Sequence, residues 1–265
     1  ITKKKTFGVW ECRTAVSCLY LEAEMTSTDI QNRFKSLDEE GRIKPLYIYA
    51  DAYANSLGLS KASLLEKDCR DNIRKILLKK EISVFVLDNI ASLSPGADEN
   101  SKRDWDEINQ WLLKLRFEGI TTLLLHHLNK EGGQRGTSAR EDNIDISIML
   151  KKPPTYTPED GARFIAHFTK ARIETAQLPM IADIEFHLKQ NDSGEINWAC
   201  GSVKQNTKIK ILRLYDDGLT NKDISKTLCL SKGYVSKIRK QAVIDGYLTD
   251  NNKLTDSGIV FCNGN

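Results

Sequence analysis

The sequence predicts an α/β fold: a mainly parallel sheet flanked by helices, with antiparallel strands added to it and a small helix-turn-helix domain at the carboxyl end. Three observations predict it. Short apolar runs alternate with amphipathic stretches through residues 15–127, the β-α-β order that builds a parallel sheet with right-handed crossovers. Strand-like runs then crowd together at 144–150, 164–169, 181–188 and 195–198, with too little chain between them for crossover helices, so they are expected to pair antiparallel. Residues 204–240 hold ten Lys/Arg against three Asp, a surplus of seven in a chain whose net charge is only +3. A basic segment beside a mildly acidic body points to contact with a polyanion through that segment alone.

The elements follow in order. Residues 15–22 (AVSCLYLE) make the first core strand, and Thr26 or Ser27 caps a helix that runs to Leu37. Residues 46–50 make a second strand. Ser60 is expected to cap a long helix with Leu64, Leu65, Ile73, Ile76 and Leu77 on its apolar stripe. Residues 82–89 follow, where Val84-Phe85-Val86-Leu87 ends abruptly in Asp88-Asn89. A short apolar run of this kind is a strand buried on both faces. Pro95-Gly96 breaks the chain, and a second amphipathic helix carries Trp105, Ile108, Trp111, Leu112 and Leu115 before Gly119 ends it. The two tryptophans fall on the helical stripe and are read as core. Residues 120–125 make the next strand, which ends in His126-His127.

The totals exclude several classes. No apolar run approaches the roughly 20 residues of a membrane helix. The start, Ile1 to Lys5, is basic without a following apolar stretch, and because it does not begin with Met, upstream residues are expected to be missing. Six cysteines at 12, 18, 69, 200, 229 and 262 form no CxxC pair, which excludes the usual zinc spacing and suits a reduced, cytoplasmic compartment.

Chemistry-capable residues end successive core strands: Glu24, then Asp88, then His126-His127. In a parallel sheet such ends lie along one edge, where open α/β sheets bind ligands. A carboxylate at Glu24 can orient and deprotonate a water. Asp88 can hold magnesium, and a histidine one strand over can bond a phosphate oxygen. Lys130, Arg135 and Arg140 lie on the following polar loop, where cations can offset charge on a transferring phosphoryl group. Each residue also has a plainer reading: an Asx turn for Asp88, a helix-start carboxylate for Glu24, loop surface for the histidine pair. Their fall on consecutive strand ends is what favours a site.

The segments LYLEAEM, VFVLDN, the 126–143 run HH…K…RGTS…DN, and HFTKAR resemble the RecA-like ATPases of plasmid and phage replication, the hexameric replicative helicases of the RepA type above all. The likeness covers residues 7–190. It implies a RecA-like core that binds ATP and Mg²⁺, with Glu24 as catalytic carboxylate, Asp88 as the acid that holds Mg²⁺ beside Asn89, and His127 rather than His126 as the phosphate sensor. Lys130 would contact nucleotide. Arg135, or Lys170 and Arg172 in Thr-Lys-Ala-Arg, would be offered to the neighbouring subunit of a homo-oligomeric ring, expected to be a hexamer. The sequence departs from the family at one point: no GxxxxGK[ST] phosphate loop occurs. Truncation accounts for that, and so does a degenerate ATPase; in either case this chain alone is expected to bind nucleotide weakly.

The basic segment resembles a winged helix-turn-helix. One helix spans 207–215; a second starts after Thr220; a turn at 228–231 leads to a third from Lys232 to 244; and 247–258 forms a wing around Asn251-Asn252. Ser231, Lys232, Tyr234, Lys237, Arg239 and Lys240 are the expected DNA contacts, with Ile211, Leu214, Ile224, Leu228, Val235 and Ile238 as a small core. The expected organisation is a core at 1–201, a linker at 202–206 and a DNA-binding domain at 207–262. The function that follows is an ATP-hydrolysing nucleic-acid motor of replicative-helicase type that docks on DNA. The alternative is a non-catalytic DNA-binding initiator or regulator that keeps the fold to form oligomers.

Overall fold

A computed structural model describes residues 6–7, 10–37, 46–96, 102–127, 143–190 and 196–263. Two short strands, β1 (Thr6–Phe7) and β2 (Trp10–Glu11), pair with each other. The chain then divides into two units, residues 1–6 with 11–144, and residues 7–10 with 145–265.

The first unit holds a four-stranded parallel sheet of β3 (Cys18–Glu22), β4 (Leu46–Ala50), β5 (Val84–Asp88) and β6 (Thr121–Leu124), in the order β4-β3-β5-β6. The chain therefore runs outward from β3 to β4, returns across β3 to β5, and continues to β6. Its helices are α1 (Ser27–Leu37), α2 (Asp51–Ser56), α3 (Lys67–Lys79), α4 (Ile90–Leu93) and α5 (Lys102–Phe117). Strand alternation sorts the side chains. Leu19, Leu21, Phe85 and Leu87 enter one core with Ile73 and Leu77 of α3 and Trp105, Ile108, Trp111 and Leu115 of α5. Both tryptophans are core, as their spacing indicates. The opposite face carries Tyr20, whose ring meets Phe34 of α1 edge-on at 5.9 Å.

One predicted helix is corrected. It begins at Lys67, not Ser60, and a separate short helix, α2, follows β4 directly. Residues 61–66 are held off the helix by bonds to other segments. Ala62 N–H donates to the buried Asp51 carboxylate (2.8 Å), Leu64 N–H donates to Leu93 O (2.7 Å), and Arg70 donates to the carbonyls of Leu64 and Leu65. Leu64 is still fully buried, from this loop, while Ile76 is exposed on α3.

The second unit contains β7 (Ile146–Lys151), β8 (Arg163–Ala171), β9 (Ile184–Gln190) and β10 (Ile196–Ser202). They form an antiparallel sheet of their own, ordered β10-β9-β8-β7, and do not extend the parallel sheet. A parallel sheet flanked by helices, with a separate antiparallel sheet, is an α/β architecture. Four helices follow: α6 (Val203–Asp216), α7 (Asn221–Thr227), α8 (Lys232–Ile244) and α9 (Asp256–Asn263). The expected linker at 202–206 is the end of β10 and the first turn of α6. Val203 N–H donates to Asp183 O (3.1 Å) and Asn206 donates to Glu185 (3.4 Å), so α6 is fastened to the sheet and the boundary falls near residue 145 instead.

The last four helices enclose Ile211, Leu212, Tyr215, Ile224, Leu228, Val235, Ala242, Leu248 and Cys262, with Leu214 and Ile238 partly buried against them. Thr220 caps α7 in a reciprocal box with Asp223, as its sequence suggests. The turn at 249–253 is closed by a bridge between Leu248 and Leu254. Helix α9 has no clear apolar period and was not foreseen. It docks because Gly258 lets it approach the chain at Tyr247: a Cβ there would lie 2.1 Å from Tyr247 O and 3.0 Å from Leu254 Cδ2. Gly258→Ala is therefore expected to destabilise this unit by about 1–3 kcal/mol. Loss of the near-ultraviolet signal of the stacked Tyr247 and Phe261 rings at a lower temperature is the readout.

Candidate active site

The strand order reverses between β3 and β5, because β4 lies to one side of β3 and β6 to the far side of β5. A crevice at such a switch point, outside the carboxyl ends of the strands, is where open α/β sheets take ligands. The last residues of the two strands, Glu22 and Asp88, are register partners there. Register partners in a sheet point to the same face, and Tyr20, two residues before Glu22, shares it. The Tyr20 hydroxyl donates to Asp88 Oδ2. Burial raises the Tyr20 hydroxyl well above its ordinary range, and its bond to the Asp88 carboxylate raises it further. It remains a donor, so it fixes one Asp88 oxygen.

Glu24 lies two residues past the strand, on a turn shaped by Glu22. Glu22 Oε1 accepts the N–H groups of Glu24 (2.8 Å) and Met25 (2.7 Å). Glu22 is only 1% exposed, and its Oε2 is buried with no hydrogen-bond partner among the described residues. The Glu24 carboxylate reaches across the strand ends. Its Oε2 lies 3.2 Å from His127 Nε2, just past β6, and its Oε1 accepts the Ser92 hydroxyl at 3.1 Å. Glu24, past the end of β3, is thus joined to Ser92 of α4, which follows β5, and to His127, which follows β6. Asn89 is buried and caps α4, its Oδ1 accepting Ser92 N–H (3.0 Å). Its buried Nδ2 makes no fully formed hydrogen bond among the described residues, yet it interacts with Glu24 closely enough to favour the carboxylate's charge.

Partial burial pushes the Glu24 carboxyl up, but bonding to His127, Asn89 and Ser92 outweighs it, so the group titrates below its ordinary range. The carboxylate form is therefore stabilised by the fold above the unfolded pKa, and that contribution is lost as pH falls through the lower, folded one. His127→Ala is expected to move the Glu24 midpoint upward, observed by a carboxyl NMR titration; an unmoved midpoint would show that the pair does not hold the charge.

The other expected residues fall as follows. His126 is half-buried beside the exposed His127. Lys130, Arg135 and Arg140 lie outside the described residues. Lys170 and Arg172 belong to the second unit: Lys170 is on β8 opposite Ser147, and the Arg172 guanidinium stands 3.7 Å from Asp145. On α8, Lys232, Lys237 and Lys240 are exposed. Ser231 spends its hydroxyl capping the helix at Tyr234 N–H, and Tyr234 is partly buried against the small core. Arg239 is not free on the surface either. It donates to Asp250 O (2.8 Å) and to Asn252, holding the 249–253 turn. Glu22 and Tyr20 were missed as site residues. The available signal was a carboxylate closing an otherwise buried strand, which Glu22 supplies.

Comparison with known proteins gives two matches, one to a solved structure and one to a family. A search of curated proteins returns no match. Among solved structures, a KaiC-like protein from the hyperthermophilic archaeon Pyrococcus horikoshii OT3 aligns over 69% of this chain and 76% of its own, at 15% identity and a TM-score of 0.43. The AAA domain family matches residues 1–133, half of the chain. That span includes β3, β5 and β6 with Glu22, Glu24, Asp88 and His127 at their ends, and the chain belongs to the AAA domain family, of ATPase type.

Proposed function

We propose that this chain is part of an ATP-hydrolysing nucleic-acid motor of replicative-helicase type, assembled as a homo-oligomeric ring and docked on DNA through its last helices. The observation that carries the enzymatic half is the Glu24 carboxylate, bonded to His127 and standing two residues past Glu22, the register partner of Asp88 at the switch point. Asp88 offers a hard carboxylate oxygen, Oδ1, besides the Oδ2 that accepts the Tyr20 hydroxyl. That suits Mg²⁺, which takes one or two protein carboxylates and completes its shell with phosphate and water oxygens. When bound, Mg²⁺ offsets charge on the phosphates. Glu24, ionised at neutral pH, accepts the proton of the attacking water. His127 couples Glu24 to β6, so a phosphate that bonds His127 in competition releases the carboxylate. A cation from a neighbouring subunit, Arg135 or Arg172, completes the charge balance.

The DNA half rests on the basic surplus of residues 204–240 and on the exposure of Lys232, Lys237 and Lys240. Replacing these three by Gln is expected to reduce the slope of log affinity for duplex DNA against log salt by about 2.7, at about 0.9 per phosphate contact. An unaltered slope would remove α8 from the interface. The test of the whole reading is Mg²⁺-dependent ATP hydrolysis by the full-length protein with and without DNA. DNA binding without hydrolysis would favour the non-catalytic initiator instead.

A further inference from the structure

A cleft of about 470 Å³ opens in the second unit between its sheet and α6. Its chemistry is set by two periodicities. Strand β9 alternates Ile184-Glu185-Phe186-His187-Leu188-Lys189; Ile184 and Phe186 enter the small apolar core of this sheet, which leaves Glu185, His187 and Lys189 on the cleft face. On α6, Asn206, Ile209, Lys210 and Arg213 recur at i, i+3, i+4 and i+7 and share the stripe that faces them. Ile211, Leu212 and Tyr215 on the same helix face the other way, into the C-terminal core. So α6 buries an apolar stripe on one side and turns a basic one toward a polar sheet face.

The charges do not balance. Arg163, across the sheet, is saturated. Its guanidinium pairs with Glu185 (2.6 Å) and Asp160 (2.8 Å) and donates to Thr155 O (3.2 Å). Lys210 has only long contacts, 3.9 Å to Glu185 and 3.4 Å to the Thr155 hydroxyl. Burial lowers the Lys210 ammonium, which Glu185 only partly restores, and Arg163 lowers it further. Arg213 uses one nitrogen on Cys262 O and leaves its side chain exposed at the rim, and Lys189 is exposed as well. Four cations therefore face two carboxylates, a surplus of two in a partly desolvated cleft.

We propose that this cleft binds a phosphate group through Lys210 and Arg213. A phosphate monoester carries about −1.5 to −2 at neutral pH and three acceptor oxygens, which match the surplus and the paired ammonium and guanidinium donors. A carboxylate would leave one positive charge uncompensated. The group can come from the terminal phosphate of a nucleic-acid strand or from a free phosphate-bearing molecule. The site is independent of the ATPase reading, since none of its residues belongs to the β3–β5 crevice.

Inorganic phosphate titrated calorimetrically into the full chain, against chloride at matched ionic strength, is expected to bind saturably at one site. Lys210→Gln should weaken it at least tenfold, Lys210→Arg should largely retain it, and the exposed control Lys75→Gln should leave it unchanged. Arg213→Gln supplies the same readout should circular dichroism show that Lys210→Gln does not fold. Displacement of phosphate by a 5′-phosphorylated duplex, and not by the same duplex without its terminal phosphate, assigns the site to a strand end, and simultaneous binding assigns it to a free ligand. Absence of saturable binding, or equal weakening by Lys75→Gln, overturns the proposal.

Discussion

Glu24→Gln is expected to slow Mg²⁺-dependent ATP hydrolysis by the full-length protein by about 10²–10⁴-fold, the usual contribution of a positioned general base. The amide keeps the size of the side chain and its bond to the Ser92 hydroxyl, but it cannot take a proton from water. Glu24 is partly exposed and its pairing with His127 spans three strand ends without filling a core position, so folding should be preserved and nucleotide affinity little altered. The loss should therefore appear in kcat and not in KM. Hydrolysis unchanged by Glu24→Gln would transfer the proton-accepting role elsewhere, and Glu22, whose second oxygen is buried without a partner among the described residues, is the first place to look.

Phe85→Ala should carry the largest stability penalty in the parallel-sheet unit, about 3–5 kcal/mol. Phe85 is fully buried on β5, and its ring meets Trp111 of α5 edge-on at 6.1 Å. Removing it empties space between the sheet and α5 that backbone hydrogen bonds on both sides of β5 prevent from collapsing. Because Trp105 and Trp111 lie in that same core, urea unfolding followed by tryptophan fluorescence reports this unit in a chain whose other tryptophans, Trp10 and Trp198, are replaced by Phe. A midpoint within experimental error of the parent chain would mean that the cavity closes, and that β5 is less firmly held than its register implies. Since Asp88 ends the same strand, the variant should also lose hydrolysis at temperatures where the parent keeps it.

The core strands were legible because each is an apolar run with sharp polar ends, a purely local signal. Residues 46–50 and 84–88 are strands as read, and α5 buries the tryptophans its 3.6-residue period assigns to the core. The helix capped at Ser60 was misread because Leu64 and Leu65 fit the same period as Ile73 and Leu77. Only bonds from distant residues, Asp51, Leu93 and Arg70, reveal that they lie in a loop. Helix α9 was invisible because its formation rests on a close approach at Gly258 and on a ring stack with Tyr247, neither of which leaves a period in the sequence. Arg239 shows the converse: a cation at a surface-facing position proved to be a clamp on a turn 11 to 13 residues away.

By itself the sequence determined the α/β class and the strands of the parallel sheet, because hydrophobic periodicity and strand termination are written residue by residue. Tertiary structure alone decided that Glu22 shapes the turn presenting Glu24, that Tyr20 binds Asp88, that the antiparallel strands stand apart as a second sheet, and that α6 faces a cleft with its basic stripe. Those facts depend on strand order and register, which set residues far apart in the chain side by side, and no local pattern encodes a neighbour that arrives from another strand.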